Sequence, residues 1–178
     1  IVAFDGAYHG TGLLALAATG FEHFRAPFAQ WLPAPVHRRA WGEDPGALPA
    51  DTACVIVEPV QGRAGSRVPP AGFLDTLRRR CDEAGALLVV DSIYCGLGRI
   101  GELYPGDGVA DVLCIGKALG GGLPLSAALF YRGGLEELWQ LGPEDVYMHT
   151  HVGSPLACAA ALVLLDELPG LLDRVVEA

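Results

Sequence analysis

Short uninterrupted apolar runs alternate along this chain with stretches in which apolar positions recur every three or four residues, and that rhythm sets the expected fold. Ile1-Val-Ala-Phe4, Ala53-Cys-Val-Ile-Val57, Ala86-Leu-Leu-Val-Val90, Asp111-Val-Leu-Cys-Ile115 and Leu125-Ser-Ala-Ala-Leu-Phe-Tyr131 read as strands, because brief apolar runs without helical spacing suit strands covered on both faces. Between the second and third runs, Pro69-Pro70 opens an amphipathic helix that continues to Ala84. Phe73, Leu74, Leu77 and Cys81 line one face, Arg78, Arg79 and Arg80 belong to the solvated side, and Gly85 stops it. Strand, helix and strand in that order form a βαβ unit, which predicts parallel pairing. The expected fold class is therefore α/β, a three-layer, mostly parallel sheet flanked by helices.

The remaining segments are less regular. Leu and Ala at helical spacing predict a helix over 11–19, ended by Gly20. Residues 21–52 carry five prolines and no sustained period, and read as a long irregular connection with a helical turn near Pro45 to Leu48. A short helix is expected over 134–141. Ser154 as cap and Pro155 at the first helical position start a last helix through Leu168. It is apolar nearly all round, so it should be buried against another element or subunit.

Composition narrows the function. At 178 residues and 51% hydrophobic the chain has one domain's worth of core, with apolar surface to spare for a partner. A net charge of −9 argues against nucleic acid or anionic membrane as its partner. No signal peptide stands out, and no run reaches the ~18 uninterrupted apolar residues of a membrane span. Five scattered cysteines without a Cys-x-x-Cys pair read as free thiols in a reducing compartment. A cytoplasmic, metal-free protein is expected.

The candidate chemistry centres on Lys117, the only lysine in the chain. Arginine serves a solvated surface as well as lysine does, yet it neither gives up its proton near neutral pH nor attacks a carbonyl. Lys117 follows the Asp111–Ile115 strand, at the edge where α/β sheets place ligands, and precedes Gly120-Gly-Gly122 and Pro124. Glu58 and Asp91 likewise end strands, so three ionisable groups are expected on one rim. An amine opposite an aspartate, with an aromatic residue and glycine-rich turns, matches what a pyridoxal phosphate site needs: an amine to hold the carbonyl carbon, a carboxylate to keep the pyridine nitrogen protonated, and flat apolar groups against the ring.

Several stretches in one order carry a resemblance: Tyr8-His-Gly, Glu58-Pro-Val-Gln-Gly, Pro69-Pro-x-Gly-Phe-Leu, Asp91, Gly96-x-Gly-Arg-x-Gly101, Gly116-Lys-Ala-Leu-Gly-Gly-Gly-Leu-Pro and Ser154-Pro-Leu-Ala-Cys-Ala-Ala-Ala. Together they resemble the class III aminotransferases, fold type I pyridoxal phosphate enzymes. The resemblance implies that Lys117 forms the Schiff base with the cofactor, that Asp91 pairs with the pyridine nitrogen, and that Tyr8, beside His9, stacks on one ring face with Ile93 on the other. It makes Glu58 the active-site glutamate and Thr150 the residue that caps the phosphate of a neighbouring subunit's cofactor, so a homodimer is implied. Substrates would be an amine or ω-amino acid and a keto acid. Ser92, Ile93 and Tyr94 stand where the family usually has Glu, an apolar residue and often Gln, so Tyr94 would have to meet the cofactor's ring hydroxyl. The family's phosphate-loop segment and its small carboxy-terminal domain have no counterpart in 1–178, which would make the chain the central part of a large domain. The alternatives are an aminomutase, racemase or decarboxylase on the same cofactor, and a non-catalytic dimerising homologue.

Overall fold

The structure is a computed structural model that describes residues 1–33, 35–133, 135 and 152–177. The chain divides into two compact units, Ile1–Asp91 with Gly106–Ala110, and Ser92–Pro105 with Asp111–Ala178. In the first unit the order is β1 (Val2–Phe4), α1 (Leu13–Ala18), α2 (Glu22–Arg25), β2 (His37–Arg39), β3 (Cys54–Val57), α3 (Phe73–Ala84) and β4 (Leu87–Asp91). The strands pair in parallel in the order β2-β1-β3-β4, as the βαβ rhythm predicts. Val2, Phe4, Val55, Val57, Leu88 and Val90 are wholly buried, each contributing about 1.5–3 kcal/mol by leaving water. α3 seats Phe73, Leu77 and Cys81 on this sheet, and the Phe73 ring meets Phe4 and Trp41 with centroids 5.6 and 5.7 Å away.

Register places the chemistry. Val57 pairs with Val90, so the next residues, Glu58 and Asp91, stand at the same carboxyl edge of neighbouring strands. β1 runs alongside β3 with Val2 opposite Val55, which delivers the loop holding Tyr8 and His9 to that edge. The arginines of α3 serve its surface: Arg78 pairs with Asp82, and Arg80 with Asp44 and Glu83.

Three expectations need correction in this unit. Residues 21–52 are more ordered than their prolines suggest, since they include α2, a 3-10 turn at Ala26–Trp31 and the edge strand β2, while no helical turn forms at 45–48. β2 escaped the hydrophobic pattern because His37-Arg38-Arg39 is polar; its backbone bonds to β1, and the Arg38 guanidinium donates to the carbonyls of Ala17 and Ala18. α3 starts at Phe73, because Gly72 takes a left-handed conformation (φ +77°) and sets Pro69 and Pro70 outside the helix.

One glycine in the first loop is fixed by space. A Cβ on Gly20 would lie 2.6 Å from the Gly6 nitrogen, 2.8 Å from the Phe4 carbonyl and 2.9 Å from the Ala7 nitrogen, all backbone atoms that cannot rotate away. Gly20→Ala should destabilise the fold by about 3 kcal/mol, read as a lower denaturant midpoint with an unchanged slope.

The second unit contains β5 (Val112–Ile115), β6 (Ala127–Phe130), α4 (Pro155–Glu167) and α5 (Leu172–Val176), with 3-10 turns at Lys117–Gly120 and Leu168–Leu171. β5 and β6 are antiparallel, with Cys114 opposite Ala128. Of the helix expected over 134–141, only Leu135 is a described residue. α4 begins where Ser154 and Pro155 place it, but the Ser154 side chain makes no capping hydrogen bond. Within this chain Ala157 and Ala161 are buried, while Leu156, Leu162 and Val163 are exposed. The stretch Pro155–Val175 is, by length and composition, apolar enough to cross a membrane. Asp166, Glu167, Asp173 and Arg174 interrupt the uninterrupted run that the sequence criterion asks for. The five cysteines are free.

Candidate active site

In the first unit, a buried polar cluster forms at the carboxyl ends of β3 and β4. The Asp91 carboxylate meets His9 Nδ1 at 2.8 Å, with both side chains almost fully covered. The His9 backbone N–H donates to the Thr19 hydroxyl, whose single proton has the Ala15 carbonyl at 3.0 Å and the Gly10 carbonyl at 3.3 Å as acceptors, so the end of α1 fixes the His9 backbone. His9 Nε2 is buried with no hydrogen-bond partner among the described residues. Next to this pair, Glu58 is 4% exposed and accepts a hydrogen bond of 2.9 Å from the Tyr8 backbone N–H. Tyr8 is half-buried.

Glu58 is an unusual carboxyl group. Burial pushes its pKa up from 4.5 to about 7, the Asp91 charge adds to the rise, and the Tyr8 and Gly62 N–H groups and His9 oppose it. The folded protein therefore keeps a proton that the unfolded chain has lost between those two values, so stability falls as pH rises from about 4.5 to about 7 and is level above. Glu58→Gln keeps an acceptor for Tyr8 and removes the titration. The variant should gain up to about 3 kcal/mol on wild type across that window, checked by urea unfolding of the cofactor-free protein at pH 5 and pH 7.5; parallel pH profiles would contradict it.

Gln61, three residues beyond Glu58 in the same motif, is turned inward. It is wholly buried, donates from Nε2 to the Asp5 carbonyl and accepts from Arg67. The motif Glu58-Pro-Val-Gln-Gly thus supplies one carboxyl group for chemistry and one amide for architecture.

The second unit holds Lys117, Ile93 and Tyr94. Lys117 lies one residue beyond the carboxyl end of β5, after Gly116, and takes a left-handed backbone conformation (φ +46°), a strain that side-chain-bearing residues keep mostly where function needs it. Gly116, which precedes it, packs against Ile93 and Ser126. The lysine side chain is exposed, with Nζ 5.7 Å from the centre of the Tyr94 ring. A groove of about 570 Å³ opens here, lined by Ile93, Tyr94, Arg99, Lys117, Ala118 and Leu168, so the amine faces open space.

Ser92, standing where the resembled family has glutamate, is structural. Its hydroxyl is buried and donates to the Pro105 carbonyl at 2.7 Å, and its backbone bonds to Cys114 and Gly96. Thr150 lies outside the described residues. The structure thus gathers Tyr8, His9, Glu58 and Asp91 in one unit, and Ile93, Tyr94 and Lys117 in the other. Sequence reasoning missed the His9–Asp91 pair, whose members are 82 positions apart, and the Thr19 hydroxyl behind it; it also passed over Arg63, whose guanidinium carbon lies 4.7 Å from the Tyr8 ring centre and 4.8 Å from that of Phe24. A side chain between two aromatic faces leaves no mark in linear spacing.

Comparison with known proteins gives the family and the fold. The family model for Aminotransferase class-III matches residues 1–175. The acetylornithine aminotransferase of Methanopyrus kandleri is 41% identical over 97% of this chain and 46% of its own length, and the putrescine aminotransferase of Pectobacterium atrosepticum is 40% identical over 94% and 38%. Among solved structures, the ornithine aminotransferase of Toxoplasma gondii, described with pyridoxal phosphate at its active site, superposes with a TM-score of 0.85 at 27% identity, over 97% of this chain and 42% of its own. An amine transaminase from an uncultivated Pseudomonas species, in its pyridoxal phosphate-bound form, gives 0.81 at 28% identity, over 95% and 45%. The α/β class expected from the strand rhythm is the fold of these structures. The chain spans less than half the length of the relatives it matches.

Proposed function

The chain belongs to the class III aminotransferase family, and from that premise we propose that the protein transfers an amino group from an amine or ω-amino acid to a keto acid with pyridoxal phosphate as cofactor. The observation that carries the reading is the pairing of roles at strand ends: a sole lysine, strained and open at the end of β5, and a buried aspartate held by a histidine at the end of β4. These residues fit the group. The exposed amine can reach a carbonyl carbon, and the buried Asp91 carboxylate suits a protonated ring nitrogen. When bound, pyridoxal phosphate supplies an electron sink that makes the proton on the amine-bearing carbon labile.

The chain's own residues do the rest. Lys117 Nζ would hold the cofactor covalently and, once free, would take up and return a proton at Nζ. Asp91 would pair with the ring nitrogen and favour its protonated form, while His9 Nδ1 fixes the carboxylate's direction. Tyr8 and Ile93 would serve as the apolar groups against the ring, Tyr94 would have to meet the ring hydroxyl, and Glu58, with its pKa near 7, holds or releases a proton at working pH. Thr150 caps the phosphate of a second subunit's cofactor in a homodimer, a proposal supported by the exposed Leu156, Leu162 and Val163 of α4. Five free thiols suit the cytoplasm.

The test is turnover of the full-length protein with putrescine, N-acetylornithine and ornithine as donors and pyruvate as acceptor. Donor-dependent formation of alanine with ping-pong kinetics supports the reading; release of carbon dioxide or loss of donor stereochemistry without alanine would contradict it in favour of decarboxylation or racemisation.

A further inference from the structure

We infer that Arg63 is the carboxylate-recognition residue on the β3 side of the site, the group that receives the acidic end of the keto acid. The inference rests on the transaminase reading for its substrate and on the following geometry for its residue. Arg63 lies in the turn after Glu58, and the base of that turn is pinned by the backbone pairing of Gln61 with Arg67 and by the buried Gln61 side chain. Its guanidinium carbon is nearly equidistant from Tyr8 and Phe24, at 4.7 and 4.8 Å, and those ring centres are 5.5 Å apart. The cation therefore caps the notch between the two rings.

What Arg63 lacks separates it from its neighbours. Arg67 also lies over an aromatic ring, that of Trp41, but donates to Gln61 Oε1, and Arg78, Arg79 and Arg80 face carboxylates. Arg63 has no carboxylate or carbonyl partner among the described residues. In a chain with a net charge of −9, a guanidinium held by aromatic faces and left without an anion is available to an anion from outside. Contact with rings occupies the face of the guanidinium, whereas its N–H fork, which matches the two oxygens of a carboxylate, lies in the plane.

Tyr8 ties this cation to the reaction. Its backbone N–H holds Glu58 while its ring carries Arg63, and it precedes His9, the partner of Asp91. A carboxylate docked on Arg63 would therefore lie beside the cluster of Glu58, His9 and Asp91. Amine donors without a carboxylate would not use this contact.

The test is equilibrium binding of succinate and of its neutral diamide, succinamide, to the full-length protein in wild-type, Arg63→Gln and Arg63→Lys forms. Arg63→Gln should weaken succinate about ten- to a hundredfold, the range for loss of a charge-assisted hydrogen-bonded pair; Arg63→Lys should recover part of it, and succinamide should bind all three alike. In turnover, KM for pyruvate should rise by the same factor while KM for putrescine stays put. Wild-type affinity of Arg63→Gln for succinate, or an equal loss for succinamide, would overturn the assignment and leave Arg63 as packing for Tyr8 and Phe24. Failure of the transaminase reading would show separately, as absence of alanine in the wild type, because the binding comparison needs no turnover.

Discussion

Lys117→Ala should reduce amino transfer by the full-length enzyme by about 10⁴-fold, the upper range for a positioned proton-transfer group, while leaving its folding stability within about 0.5 kcal/mol of wild type. The two halves of this expectation come from separate features. Lys117 is exposed and leaves its surroundings little changed when shortened, so stability has no reason to fall; alanine inherits the same left-handed backbone (φ +46°), so strain is not relieved either. Activity depends on an amine at that position, and Lys117→Arg should be as inactive as the alanine variant because guanidinium keeps its proton. A stopped-flow half-reaction with the amine donor, paired with urea unfolding, checks both. Residual turnover within tenfold of wild type would remove Lys117 from the chemistry.

Asp91→Asn should slow turnover by about 10²- to 10³-fold, corresponding to the loss of a charge worth roughly two to three pKa units to a neighbouring cationic group. The substitution keeps an acceptor for His9 and the shape of the buried cluster, so the effect isolates charge from packing. A second consequence follows for Glu58. The Asp91 charge is one cause of its raised pKa, behind burial; neutralising it should move the Glu58 titration below about 7. The pH profile of the variant's half-reaction reads both at once, and a profile with wild-type rate would show that ring-nitrogen charge is supplied by something other than Asp91.

Strand rhythm and motif order carried most of the fold. β1, β3, β4, β5 and β6 were all legible from apolar runs; in β1 every residue is buried, as a strand covered on both faces requires, whereas β6 leaves Ala128 and Phe130 exposed. β2 was illegible because an edge strand of His37-Arg38-Arg39 gains its place through backbone bonds to β1, which side-chain pattern does not encode. α4 was legible as a helix and illegible in burial: its composition tells that Leu156, Leu162 and Val163 need cover, whereas the chain by itself leaves them exposed.

The site divides in the same way. Lys117, Asp91 and Glu58 announce themselves as ionisable residues ending apolar strands. His9 and Tyr8 gain their meaning only when register brings the loop after β1 beside β3. Gln61 carries no such signal: an amide at a strand end can turn inward as readily as outward, and here the Asp5 carbonyl and Arg67 hold it inward. Arg63 shows the limit of linear reading, since Tyr8 reaches it from the loop after β1 and Phe24 from α2.

The central claim is that Lys117 carries the cofactor. The most direct measurement is borohydride reduction of the full-length protein purified with pyridoxal phosphate, followed by proteolysis and mass spectrometry of every lysine-containing peptide. The account predicts a phosphopyridoxyl adduct on Lys117 that disappears when the amine donor is added before reduction. An adduct confined to another lysine, or no adduct on a protein that has bound the cofactor, would contradict it.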